Sequence, residues 1–231
     1  MYKGRITTIE GLDAAGKKTQ AKMLVNNLMM NGFPVKTMSF PRYETPTGRK
    51  VRAYLNGEYG SLDQVDPKFA SRLYADDRLA AKPEVEGWLL DGGIWVFDRY
   101  YESNLGHQGA KFRDPEEKQA MVDYLLNLEL KKMRLPPSDF VIYLSLPLDY
   151  ILEAKAKDGS RAGIKDLHED DMDHLRAAKE TYDVLASQLG WKTIGCYNSA
   201  TKSRHSMEVI QSMVLSATLD YLHSNYMTKA L

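Results

Sequence analysis

Apolar positions along the chain switch repeatedly between short runs and helical spacing. Five short runs read as strands: "RITTIEG" (Arg5 to Gly11), "FPVKTMSF" (Phe33 to Phe40), Ile94 to Asp98, "SDFVIYLSL" (Ser138 to Leu146) and "WKTIGCY" (Trp191 to Tyr197). Between them, apolar residues recur at helical spacing. Met23, Leu24 and Leu28 predict a helix from Thr19 to Met30, stopped by Asn31-Gly32. A second helix is predicted from Thr47 to Leu55, and a third opens near Pro67 and ends at Pro83. Helical material then fills the chain to about Lys132, and another helix follows Pro147 as far as Lys157. A long helix ends at Gly190, and an amphipathic one runs from Ser206 to Tyr226. Strands alternating with helices in this way predict an α/β fold, its parallel sheet covered by helices on both faces, in one domain.

Composition narrows the function classes. The chain has 231 residues, 43% of them hydrophobic and 27% charged, enough for one substantial core. Its 31 basic residues balance 31 acidic ones, so no global field favours nucleic acid or a membrane surface. Any anionic ligand must be held by local basic clusters. A single cysteine, Cys196, fits a reducing compartment. The opening residues carry no apolar run of signal-peptide length, and no later run approaches the ~18 residues of a membrane span. The expectation is a soluble cytoplasmic protein without nucleic-acid or membrane partners.

Local chemistry starts at "GLDAAGKKT", Gly11 to Thr19. A strand delivers the chain to a sheet edge, glycines let main-chain N–H groups turn inward, and a helix begins with its unpaired N–H groups facing the same point. Gly11, Leu12, Asp13, Ala14, Ala15, Gly16, Lys17, Lys18 and Thr19 therefore form a candidate phosphate loop, with Lys17 as the mobile charge for the terminal phosphates. Lys18 occupies the slot where a hydroxyl usually ligates Mg²⁺, so either Thr19 moves in or the metal leans on phosphates, waters and a carboxylate. Asp13 is the nearest carboxylate, and it could equally cap the helix.

Other strand ends carry matching charge. Arg42 follows the second strand in "FPRY", and Asp98 and Arg99 end the third in "FDRY". Ligands of open parallel sheets collect at such carboxyl ends, and arginine's planar fork suits phosphate. Asp98 is placed to orient Mg²⁺ or its water shell, or else to pair with Arg99 or Arg78. Tyr74 and Arg78 share a helix face, where a ring and a guanidinium can hold a planar base. Asn104, His107 and Gln108 follow at once, with amides able to read base edges. Arg161 sits between glycines in "KDGSRAGIKD", a loop able to close over transferring phosphates.

Taken together and in order, "IEGLDAAGKKTQ", "FPRYETPTG", "LYADDR" and "FDRYYESNLGHQGAK" resemble the thymidylate kinase family. The similarity runs from about Ile6 to Asp171 and weakens beyond. The resemblance implies a three-layer P-loop kinase fold over residues 1–231, with a five-stranded parallel sheet and a lid at about 157–167. It also implies ATP and dTMP as substrates, Mg²⁺ as cofactor and a homodimer. Asp13 would face the acceptor or the metal, Arg42 and Arg99 would grip the phosphate of dTMP, Phe40 would belong to the same substrate site, Tyr74 would stack on thymine, and Arg78 would bond its edge. Asn104, His107 and Gln108 fall around the nucleoside. Members lacking an arginine in the nucleotide loop carry the catalytic one in the lid; with Ala14 and Ala15 in those loop positions, Arg161 takes that role beside Lys17, Asp13 and Arg99.

Three departures stand out: His107 replaces a tyrosine frequent in bacterial members, His168 replaces an aromatic before Glu169, and "GCYNSATKSRHS" lacks the acidic ending of the last strand. A deoxynucleoside kinase would need a base to activate a hydroxyl, whereas Arg42 and Arg99 suit an anionic acceptor. A P-loop nucleotide switch would leave Tyr74 and Arg78 unexplained.

Overall fold

The structure is a computed structural model that describes residues 2–61, 64–157 and 172–226. Arg161, His168, Glu169 and the expected lid at 157–167, beyond its first residue, lie outside the described residues.

Five parallel strands form the central sheet: β1 (Arg5–Glu10), β2 (Val35–Ser39), β3 (Ile94–Asp98), β4 (Phe140–Ser145) and β5 (Lys192–Gly195), in the order β2-β3-β1-β4-β5. Every residue of β1 and β3 is buried, as parallel strands covered on both faces require. The register pairs Ile9 with Asp98 and Ser39 with Asp98, so three strands end level at one edge. That edge carries the chemistry.

Helices α1 (Lys17–Met30) and α8 (Met207–Asn225) cover one face through Leu24, Leu28, Ile210 and Val214. Helices α3 (Pro67–Leu90), α4 (Tyr101–Gly109) and α5 (Pro115–Leu126) cover the other through Val85, Leu89, Leu105 and Leu125. Helix α2 (Pro46–Leu55) packs on the start of α3 in a separate cluster around Val51, Tyr54 and Leu73. A π-helical turn, Asn127–Lys132, continues α5, while α6 (Leu148–Lys157) and α7 (Met172–Gln188) follow β4. Helix α7 lies against α4 because residue 106 is glycine: a Cβ there would fall 2.4 Å from the Tyr182 ring.

Three local expectations change. Pro83 does not end its helix but lies inside α3, which runs on to Leu90. Proline removes one helical hydrogen bond, yet Val85 and Leu89 beyond it are buried, and the indoles of Trp88 and Trp95 tie this stretch to β3 by donating to Ile94 O and to Val85 O respectively. Burial outweighs the lost bond. Helix α1 starts at Lys17, two positions before Thr19, which puts the whole basic pair in its first turn. Finally, "GCYNSATKSRHS" folds into a small antiparallel hairpin, β6 (Tyr197–Asn198) with β7 (Ser203–Arg204), which strand-length patterning does not detect.

Candidate active site

The phosphate loop joins β1 to α1. Its backbone needs left-handed conformations at Ala14 (φ 63°) and Gly16 (φ 90°), and Gly11 passes so close to β4 that a Cβ would meet Leu144 O at 2.8 Å. Gly16, not Asp13, occupies the N-cap position. The first intrahelical bond that closes the loop runs from Gln20 N to Gly16 O, which leaves the N–H groups of Lys17, Lys18 and Thr19 without an intrahelical acceptor. Together with the helix dipole they form an anion site. The Lys18 and Thr19 side chains are exposed, whereas Lys17 is buried and donates to Leu12 O at 2.8 Å. Burial, and then the nearby Arg99 charge, push the Lys17 ammonium down to about 8; Asp13, Asp98 and Glu10 oppose that shift.

Asp13 links this loop to the end of β3. Its Oδ1 lies 3.5 Å from Lys17 Nζ and accepts directly from Arg99 Nη2. Arg99 is itself held in a left-handed conformation (φ 67°) and donates from Nη1 to Ser103 Oγ at 3.3 Å and to His107 Nε2 at 3.4 Å. Burial opposes the Arg99 charge, but Asp13, Tyr182, Glu10 and Asp98 around it raise its pKa above the ordinary value. Behind it, buried Glu10 accepts from the Tyr100 main chain (3.0 Å), Ser103 Oγ (2.8 Å) and the Tyr182 hydroxyl (3.1 Å). Burial raises the Glu10 pKa. Asp98 pairs with neither arginine proposed for it; its Oδ2 accepts from Ser39 Oγ at 2.9 Å.

A cavity opens beside this junction. Asp13, Phe40, Tyr74, Arg78, Arg99, Asn104, His107 and Gln108 all line it, so every expected acceptor residue except Arg42 is brought together. Tyr74 stands edge-on to Tyr54 with ring centroids 6.2 Å apart. Gln108 is buried, and its Oε1 has no hydrogen-bond partner among the described residues. A buried amide carbonyl left unpaired costs free energy until a donor reaches it.

Two arginines are held by acids that sequence reading did not single out. Arg78 donates from Nε to Glu129 Oε2 at 2.7 Å and from Nη2 to Glu129 Oε1, leaving Nη1 on the Tyr100 carbonyl at 3.3 Å. Glu129 also accepts from Asn104 Nδ2 at 2.8 Å. It sits in the π-helical turn, fully buried, and fixes two cavity residues at once. Arg42 is not among the cavity-lining residues; its guanidinium binds Asp77, at 3.2 Å from both Nε and Nη2. The same carboxylate accepts from the Arg42 main chain, Thr45 and Thr47, which sets the turn after β2. Asp77 was visible in "LYADDR" as the neighbour of Arg78, but nothing in that motif assigns it to Arg42. Glu129 had no local signal.

A family model described as thymidylate kinase matches residues 9–207. The thymidylate kinase of Mycobacterium tuberculosis is 28% identical over 191 residues, covering 80% of this chain and 87% of that protein. That of Arabidopsis thaliana is 25% identical over 218 residues, covering 94% and 72%. A solved structure of thymidylate kinase from Candida albicans superposes with a TM-score of 0.66 at 22% identity over 96% of this chain and 92% of that one, a likeness of fold.

Proposed function

The chain belongs to the thymidylate kinase family, and we propose that it transfers the γ-phosphoryl group of ATP to dTMP, giving dTDP and ADP, by dividing the task between the loop and the cavity. One observation carries the division: Asp13 and Arg99 stand at the edge of the phosphate loop and also line the cavity. Donor and acceptor phosphates would meet there.

On the donor side, the first-turn N–H groups of α1 and Lys17 take the β- and γ-phosphates. On the acceptor side, Tyr74 and Phe40 wall the thymine, Gln108 Oε1 accepts a base N–H, and Arg78, clamped by Glu129, presents its remaining edge. Arg99 holds the dTMP phosphate, exchanging part of its bond to Asp13 for phosphate oxygens. Arg42 acts first on the turn that carries Phe40, through Asp77, and reaches substrate only if that pair opens. An oxygen of the dTMP phosphate then attacks the γ-phosphorus in line; the new O–P bond forms as the bond to the β,γ-bridging oxygen breaks, and ADP leaves. Positioning and charge neutralisation do the rest. Arg161, in a lid over residues 157–167, completes the reading as the charge that follows the moving phosphoryl group.

Mg²⁺ fits this donor set under one condition. Among the described residues no three His, Cys, Asp or Glu are grouped to cage a metal, and in this reading the ion is carried by phosphates, waters and one carboxylate. Asp98 suits that place better than Asp13, since Asp98 accepts from the neutral Ser39 hydroxyl while Asp13 is held by two cations. When bound, the ion would neutralise charge on the β- and γ-oxygens. A cytoplasmic homodimer is part of the same reading; among the described residues no helix is long and apolar enough to cross a membrane.

ADP release measured against thymidine, dTMP, dUMP, dCMP and no acceptor tests the assignment. Fastest turnover with dTMP supports it. Preference for thymidine would favour a nucleoside kinase, and acceptor-independent hydrolysis a nucleotide switch.

A further inference from the structure

We infer that Arg204 is a positioning residue for the donor loop, holding two of its carbonyls outward so that the Gly16 amide faces the phosphates. The inference rests on the donor-loop reading above, and it starts from the hairpin that the last strand runs into.

Arg204 ends β7, opposite Tyr197. The hairpin is tied to the sheet at its base: Cys196 N donates to Ser145 O and His205 N to Cys196 O, both at 2.9 Å. Asn198 Oδ1 accepts from Ala200 N at 2.9 Å to close the turn, and Tyr197 packs against Tyr150 of α6 with centroids 5.7 Å apart. Ser206 then caps α8. Arg204 is thus projected from a braced element rather than from a free loop.

Its guanidinium lands on the phosphate loop. Nη1 donates to Ala14 O at 3.0 Å and Nη2 to Ala15 O at 2.7 Å. In a trans peptide the carbonyl and the following N–H point to opposite sides. Holding Ala14 O outward turns Ala15 N inward, where it donates to Leu12 O at 3.2 Å and closes the turn. Holding Ala15 O outward turns Gly16 N to the side opposite Arg204, adding one more N–H to those of the first helical turn. A flip of the Ala15–Gly16 peptide would instead aim a carbonyl oxygen at the phosphates.

The loop has reason to need this brace. Ala14 and Gly16 both hold left-handed backbone, and Ala14, a non-glycine residue, does so at a cost. The fit is close, since a Cβ at residue 16 would lie 2.4 Å from Arg204 Nη2. Among the described residues no carboxylate pairs with Arg204, and the carbonyls it meets are neutral. Its full positive charge therefore stays on a loop whose own Ala14 and Ala15 bring none.

The test measures ATP and dTMP separately on Arg204→Ala and Arg204→Lys, by steady-state kinetics and by calorimetric ATP binding. Removing a charged donor from two acceptors weakens ATP about tenfold or more. Arg204→Ala should raise the ATP KM and Kd by that factor and leave the dTMP KM within about twofold. Inorganic tripolyphosphate, used as a competitor of ATP, should weaken by the same factor, because the effect is on the phosphate loop and not on the base. Arg204→Lys, able to hold one carbonyl, should recover part of the loss. If Arg204→Ala does not fold, an ATP Kd for Arg204→Lys between the parent and a tenfold loss supports the inference, and a parent-like one overturns it. ATP affinity unchanged in Arg204→Ala overturns it, as does a loss for ATP with none for tripolyphosphate. A parent enzyme that binds no ATP would instead overturn the donor-loop reading itself.

Discussion

The donor loop and the acceptor cavity solve the same problem, holding a phosphorylated ligand, by different means. The loop is built from consecutive residues, Gly11 to Thr19, and offers its ligand main-chain N–H groups whose directions follow from backbone shape. The cavity collects Phe40, Tyr74, Arg78, Arg99, Asn104 and Gln108 from separate segments and offers side chains. Side chains can be aimed only if something else holds them, and here the holders are buried acids: Glu129 for Arg78 and Asn104, Asp77 for the turn at Arg42. A loop of this kind tolerates a letter such as Lys18, whose exposed side chain takes no part in shaping it. The cavity has no such slack, because each holder serves more than one residue. Damage to the two regions should accordingly look different, the cavity failing through stability and acceptor affinity, the loop through ATP affinity.

The largest effect is expected where a holder is removed. Glu129→Ala leaves the Arg78 guanidinium buried without its partner and frees Asn104. Breaking a buried pair from one side costs about 3–5 kcal/mol. Urea unfolding should show that loss together with a raised dTMP KM in whatever folded enzyme remains. A loss below about 1 kcal/mol would mean that Glu129 does not hold the cavity.

Next in size comes the residue that would join the two regions. Arg161→Ala should lower turnover about a hundredfold, on the order of 3 kcal/mol of transition-state charge stabilisation, with little change in dTMP binding. Single-turnover rates would check it, and an unchanged rate would return the catalytic charge to Arg99 and Lys17.

A smaller and more selective effect is expected at Gln108. Its Oε1 is a buried acceptor with no partner among the described residues. Gln108→Leu removes the one acceptor proposed for the base, for about 1–1.5 kcal/mol, roughly a tenfold rise in the dTMP KM. The ATP KM should not move. Equal effects on both substrates would show that the variant disturbs the junction at Arg99 and not base reading.

The same contrast explains what could be read from the sequence. The five strands and the loop are local features: runs of buried residues such as Ile94 to Asp98, and glycine spacing completed within nine letters by Lys17. The cavity residues were legible as a set because their motifs come in family order, but their holders were not. Glu129 reaches Arg78 across 51 positions, and Asp77 reaches Arg42 across 35, and no periodicity records such pairs. The continuation of α3 through Pro83 is hidden from the sequence for a related reason, since the bonds that carry it onward come from Trp88 and Trp95 in three dimensions. Arg204 was hidden in a hairpin whose strands are two residues each, too short for alternation to show.

The mildest test separates the regions by pH alone. Lys17 serves the donor loop as an ammonium, and burial followed by the charge of Arg99 brings it down to about 8. Below that pH the charge is already in place when ATP arrives. Above it, the free enzyme must take up a proton on binding, so the ATP Kd should rise through pH 8 and be about tenfold higher one unit above it. The acceptor side relies on Arg99, whose pKa is raised and whose charge persists through this window. The dTMP Kd should therefore stay flat from pH 7 to 9, where the phosphate, with a second pKa near ~6, is fully ionised. Calorimetry on both ligands across that range checks the pair of curves. Lys17→Arg, charged throughout, should flatten the ATP curve even if it binds more weakly. If dTMP affinity instead falls in step with that of ATP, the two regions share one titrating group and are not electrostatically separate.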